Sequence, residues 1–304
     1  MGRKRQKRLE LNPKHQELSE AVLSEDIDKV KSLISDGVNP SEYWTFYPCP
    51  MTAVSKVNNP DIAKVLLDSG SPLCVNESEY FIEKSEVEHK WLYGWWAKAE
   101  HDVLMLMLDY AKSVNNQNSS YNPLVHMTSI EDKDIGPESD AFFAKILQMG
   151  ANPDLKLLDD EGIETGKTVL HKVVIDDNKY TVPIIKMAKN IDACPDGQPV
   201  YTPLESAVTH ASVRAAEALI KKGANVNVFE RNYSSDCADE MSFSLLDLAK
   251  KKLKRTKKKP NKAALVERYE KIVEMLETAG AKTFEQMLAD GDIPEIPPKE
   301  EWID

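Results

Sequence analysis

Gly166, Lys167 and Thr168 form the one triplet in this chain with an obvious chemical use, since glycine–lysine–threonine ends many phosphate-binding loops. Such a loop has the spacing G-x-x-x-x-G-K-[ST], which curls successive backbone N–H groups around the phosphates. Here Glu161 holds the position of the first glycine, and the nearest upstream glycine is Gly162. Asp159, Asp160, Glu161 and Glu164 would ring the anion with negative charge, and no apolar strand run leads into the triplet. No nucleotide is therefore expected at this point. His15, His89, His101 and His126 lack a metal-ligand spacing such as H-E-x-x-H, and no nucleophile is recognisably paired with a base. Cys49, Cys74, Cys194 and Cys237 are scattered without a C-x-x-C pair, which fits reduced thiols and a cytoplasmic protein rather than a disulfide framework or a zinc site. The expectation is no catalytic residue, no cofactor and no metal, with an enzyme hidden in the irregular region 79–135 as the residual alternative.

Charge sharpens that reading. The 304 residues carry 39 basic and 50 acidic side chains, a net charge of −11. Residues 1–8 hold five basic side chains and residues 250–262 hold nine, with no acid in either tract. Setting these 14 aside leaves 25 basic against 50 acidic residues, so the body of the protein should repel nucleic acid. No run of 18 apolar residues is present, and the basic start "MGRKRQKRLELN" has no apolar segment behind it, so neither a membrane span nor a secretory signal is expected. The two basic tracts read either as solubilising segments or as nuclear-import or anion-binding segments.

The elements that must position any site come from a repeat. "TVLHKV" at 168–173 aligns with "TPLESA" at 202–207, and "CPMTAV" at 49–54 and "NPLVHM" at 122–127 share the frame. Segments such as "ISDGVNP" (Gly37), "LLDSGSP" (Gly70), "ILQMGANP" (Gly150), "KNIDA" (Asn190 in the glycine position), "IKKGANVN" (Gly223) and "LETAGAKT" (Gly280) end the units. A threonine can cap a first helix, proline is tolerated in its first turn, and glycine closes the second helix with a left-handed residue. Between them, "DIAKVLLDSG" and "RAAEALIKKG" put apolar residues at helical spacing. The pattern resembles the ankyrin repeat, with its T-P-L-H signature and a period near 33. That resemblance implies an all-α ankyrin solenoid of about six or seven helix-turn-helix repeats, with hairpin fingers along one edge.

On this reading residues 1–14 are a basic N-terminal arm and 15–282 form the solenoid. A diverged repeat occupies about 79–120, a basic insertion covers 250–262, and 283–304 is an acidic, proline-rich tail, extended or disordered unless it docks through Trp302.

The resemblance also implies where a partner would sit, in the groove between fingers and first helices. His171, in the T-P-L-H histidine position, is expected to tie neighbouring loops together, and His210 to face the groove. Tyr43, Trp44, Phe46 and Tyr47 crowd the connection after the first repeat, either as interface anchors or folded inward; Trp91, Tyr93, Trp95 and Trp96 raise the same choice. The finger 154–167 carries Asp154, Asp159, Asp160, Glu161 and Glu164, and the finger 229–243 carries Glu230, Asp236, Asp239 and Glu240. Two aligned acidic fingers would make a trough for a protein with a basic surface. The candidate binding residues are thus Tyr43, Trp44, Phe46, Tyr47, Asp159, Asp160, Glu161, Glu164, His210, Asp236, Asp239 and Glu240. The irregular repeats resemble those of bacterial, phage or viral ankyrin proteins. An inhibitor or immunity-type protein masking a basic target such as a nuclease toxin fits this pattern; a secreted effector acting in a host cytosol or nucleus is the alternative.

Overall fold

The structure is a computed structural model that describes residues 13–40, 53, 54, 57–71, 101–117, 122–159, 162–195, 200–230 and 242–293. The chain divides into two compact units, residues 1–116 with 140–150, and residues 117–139 with 151–304.

In the first unit α1 (Pro13–Leu23) and α2 (Ile27–Ser35) form a hairpin, and α3 (Pro60–Asp68) packs on α2 and on α4 (His101–Tyr110). Leu18, Val22, Val30, Ile62, Leu66, Met107, Phe142 and Ile146 are its buried core. Asn59 caps α3 by accepting from Asp61 N (3.1 Å) and Ile62 N (3.2 Å), and Pro60 takes the first helical position. The aromatic stretches Tyr43–Tyr47 and Trp91–Trp96 lie outside the described residues.

The second unit opens with α5 (Pro123–Ser129), capped by Asn122 and followed by a 3-10 turn at Asp132–Asp134. The next helix, α6 (Pro137–Gln148), has most of its length in the first unit. Three repeats then follow. Strands β1 (Lys156–Leu158) and β2 (Glu164–Thr168) pair antiparallel and lead into α7 (Val169–Val173) and α8 (Thr181–Met187). Thr202 caps α9 (Pro203–His210), which is followed by α10 (Val213–Lys221). Strands β3 (Phe229–Glu230) and β4 (Phe243–Ser244) pair antiparallel ahead of α11 (Leu245–Lys257) and α12 (Ala263–Thr278). Leu170, Ile185, Leu204, Ala207, Ala215, Ala216, Leu219, Leu245, Ala249, Tyr269 and Ile272 form one core through these repeats, with alanines where helices approach closely.

The hairpins repeat in backbone detail as well as in order. Glu25, Asn58, Ala211 and Asn261 all have positive φ, and each immediately precedes the N-cap residue of a second helix: Asp26, Asn59, Ser212 and Lys262. The second helices end at Gly37, Gly70, Gly150, Gly223 and Gly280, whose φ values run from 81° to 93°. Glycine reaches that region without the Cβ penalty, so it supplies the left-handed cap the pattern called for.

Three expectations need correction. Asn190 does not act as a left-handed cap: α8 stops at Met187, with Ala188 at φ −59° and ψ 137°. Lys222 Nζ from the next repeat donates to the carbonyls of Ile185, Lys186 and Ala188, at 2.8, 2.7 and 2.5 Å. The basic tract is also not a loop insertion up to its last residues, because 250–257 are the C-terminal turns of α11. Finally, the tail is ordered at its start: α13 (Phe284–Ala289) has a Thr283/Gln286 capping box, and Phe284, Met287 and Ile293 are buried. Asp247 accepts Phe284 N at 2.7 Å and the Phe284 and Phe229 rings lie 6.0 Å apart, anchoring it to the last repeat.

Candidate protein-binding site

The finger face of the second unit is built on His171. Its Nε2 meets the carbonyl of Tyr201 at 3.1 Å and its Nδ1 meets Thr168 N at 2.9 Å and Thr168 Oγ1 at 3.0 Å. A carbonyl can only accept, so the proton sits on Nε2 and Nδ1 takes the Thr168 N–H. Burial holds the imidazole below its ordinary pKa, which keeps this neutral tautomer in place. One side chain thereby closes the start of its own helix and fixes Tyr201 one repeat away.

Carboxylates and amides make the remaining joints. Asp154 accepts Lys189 N (2.8 Å) and Asn190 N (3.0 Å), Asp192 accepts Asn225 N (2.9 Å), and Asn227 accepts Lys282 N (2.8 Å). Asp177 accepts Arg214 N and Ala215 N at 3.1 and 3.3 Å, covering orphan amides at the start of α10. Asp154, counted in sequence among the acids of a finger, is thus a joint between repeats.

The first finger uses its other described acids internally. Asp159 closes the turn: its carboxylate accepts Ile163 N at 2.8 Å, and its own N–H donates to Ile163 O at 2.9 Å. Glu164 faces Lys156 across the strands at 2.9 Å, an exposed pair of little energetic weight. Asp160, Glu161, Asp236, Asp239 and Glu240 lie outside the described residues. The glycine of the opening triplet, Gly166, lies in β2 with φ 72°, where an added Cβ would meet Pro195 Cα at 2.7 Å. It serves the finger's packing.

The structure gathers a different acidic group at the base of the second finger. Tyr201, half-buried, lies beside Glu230 and Glu205; burial first, then the two negative charges, raise the phenol above its ordinary pKa. It therefore stays protonated as a donor. Glu205 accepts the Thr209 hydroxyl at 2.7 Å, and Tyr269 donates to Thr209 O at 2.9 Å, so the carboxylate is held in one orientation. Sequence reasoning did not single out Tyr201 or Glu205. The signal was the "TPLE" at 202–205, which puts a carboxylate where the ankyrin signature has histidine.

His210 is exposed, donating from Nδ1 to Ser206 O at 2.8 Å. Eight residues after the caps Thr168, Thr202 and Ser244 stand Asp176, His210 and Lys252, and seven after them stand Ile175, Thr209 and Lys251. The charge of this first-helix face is therefore mixed. Partial burial raises the Asp176 carboxyl above its ordinary pKa, opposed by the nearby His210.

Repeated caps, left-handed turns, terminal glycines and paired fingers define a diverged ankyrin-repeat fold. No family model matches the chain, and no curated protein matches it. Among solved structures it is similar to the human ASB11 ankyrin repeat domain, at 18% identity over 86% of this chain and 96% of that one, with a TM-score of 0.47. It is also similar to the ankyrin repeat domain of Bcl-3, a member of the IkappaB protein family (19% identity, 87% and 86% coverage, TM-score 0.34). An ankyrin repeat domain from Acinetobacter baumannii AYE aligns at 17% identity, 88% and 98% coverage and a TM-score of 0.37. The fold assignment rests on the chain's own repeats. Among the described residues, no helix is long and apolar enough to cross a membrane.

Proposed function

We propose that this chain is a non-enzymatic scaffold that binds another protein along the fingers and first helices of its second unit. The observation that carries the reading is the Tyr201–Glu205–Glu230 group: two carboxylates and a protonated phenol, held at the root of a finger and partly open to solvent. Such a group suits a lysine or arginine of the partner, because both carboxylates can only accept. Asp160, Glu161, Asp236, Asp239 and Glu240, expected from sequence in the same two finger segments, carry the same sign of charge and would steer a basic surface. A role as an inhibitor or immunity-type protein covering a basic target, such as a nuclease, fits this chemistry.

The test uses the stoichiometric partner recovered and identified from the native cell. Glu205→Gln with Glu230→Gln should slow association about tenfold at low salt, the lower end of electrostatic steering, with a smaller effect at high salt. Association indifferent to both the salt and the two substitutions would remove the acidic site and leave the scaffold alone.

A further inference from the structure

The strongest charged feature away from the Tyr201–Glu205–Glu230 group is the far end of the last long hairpin. We infer that the turn between α11 and α12 is a docking site for the phosphate backbone of a nucleic acid, bound without regard to sequence. The inference uses none of the Tyr201–Glu205–Glu230 group, although Lys251 also belongs to the first-helix face described above.

Length sets the tip apart. Helices α9 and α11 both start directly after a side-chain capping residue at the equivalent position of their repeats, Thr202 and Ser244, so their lengths can be compared. α9 has 8 residues and α11 has 13; the partner helices α10 and α12 have 9 and 16. At about 1.5 Å per residue the last hairpin overhangs its neighbour by roughly 8–10 Å. That is about one screening length at physiological salt, so the tip stands clear of much of the acidic body's field. The objection to nucleic acid drawn from the body's charge loses its force at this one place.

The tract 250–262 holds nine basic side chains and no acid. Lys250 pairs with Glu277 and Lys257 with Glu270, each at 2.8 Å, while the other seven have no ion-pair partner among the described residues. Lys251, Lys254, Arg255 and Lys258 are all exposed and fall at i, i+3, i+4 and i+7, one stripe along about 10 Å of helix whose last three members lie beyond the level at which α9 ends. Cations in the last turn favour the helix dipole, but that effect is confined to the last turn and does not account for the whole tract.

Composition selects the partner. Eight of the nine cations are lysine, no aromatic residue is present, and the apolar Leu253 and Leu265 turn into the core. Protein interfaces deplete lysine and rely on buried aromatic or apolar anchors, none of which the tip offers. A phosphate backbone needs only such cations, and a stripe of about 10 Å matches about three phosphates along one strand. An anionic membrane offers negative charge without a fixed phosphate spacing, so a duplex is the better match to a stripe of fixed length.

The test is fluorescence anisotropy of a labelled 20-base-pair DNA duplex with the full chain. Micromolar binding at 50 mM salt is expected, equal for two unrelated sequences and weaker by about 40-fold at 200 mM if three phosphates are neutralised. Lys251→Glu, Lys254→Glu, Arg255→Glu and Lys258→Glu together should abolish it, and lysine-to-arginine exchange at the three lysines should preserve it. Should the reversed chain lose helical circular dichroism, the same four positions as glutamine replace it, with binding again expected to be lost. Absence of duplex binding by the parent at 50 mM, or binding that survives the substitutions, overturns the proposal. Tighter binding to phosphatidylserine vesicles or to polyglutamate than to the duplex also overturns it, in favour of a membrane or an acidic protein.

Discussion

Lowering the pH from 7 to 5 should destabilise this protein measurably through His126, four residues after the Asn122 cap on the first helix of its repeat. Burial lowers the imidazole from 6.5 to about 4 in the folded chain. Between those values the unfolded chain binds a proton that the folded chain refuses, so stability is complete above about pH 6.5 and falls as the pH drops. At pH 5 an unfolded histidine is almost fully protonated while the folded one is about one-tenth protonated. The difference is about 2 kcal/mol, approaching roughly 3 kcal/mol near pH 4. His171, also depressed by burial, adds a loss of the same sign, whereas Asp176, raised by burial, opposes it. The assay is urea unfolding followed by far-ultraviolet circular dichroism at pH 7 and pH 5, in the parent and in His126→Gln. The variant should be spared the His126 share of the loss, about 2 kcal/mol by proton linkage. His171 and Asp176 act in both chains and cancel in the comparison. An identical loss in the two would refute the assignment.

Three substitutions test the finger packing and a joint between repeats. Gly166→Ala combines a left-handed backbone with a Cβ 2.7 Å from Pro195 Cα, so it should cost about 2–4 kcal/mol; Gly162→Ala, with φ 81° and nothing within 4 Å, should cost only about 1 kcal/mol, and equal losses in thermal unfolding would contradict the packing role. Lys222→Met keeps the alkyl stem but abandons three carbonyls of the preceding repeat, an expected loss of about 1–2 kcal/mol, and unchanged urea unfolding would show that water caps α8 as well.

The repeat was legible in the amino-acid sequence because its signals are local. A threonine or serine ahead of an apolar run, a proline in the first turn and a glycine after the second helix act within one hairpin, and Thr202, Pro203 and Gly223 are found doing so. The missing first glycine of the phosphate loop was local too, and Gly166 lies in a finger strand. What only the tertiary structure decided is the use of each polar group, because the partner stands one repeat away. Nothing near Asp154 says that it receives the amides of Lys189 and Asn190, or near Ala188 that Lys222 will stand in for a capping glycine. Tyr201 and Glu205 are separated from Glu230 by the whole of α10, and the three become one group only when the second finger folds back beside α9. The basic tract shows the same division: its charge was plain in the sequence, but its projection depends on α11 outrunning α9, a comparison of neighbouring helices that exists only once they are stacked.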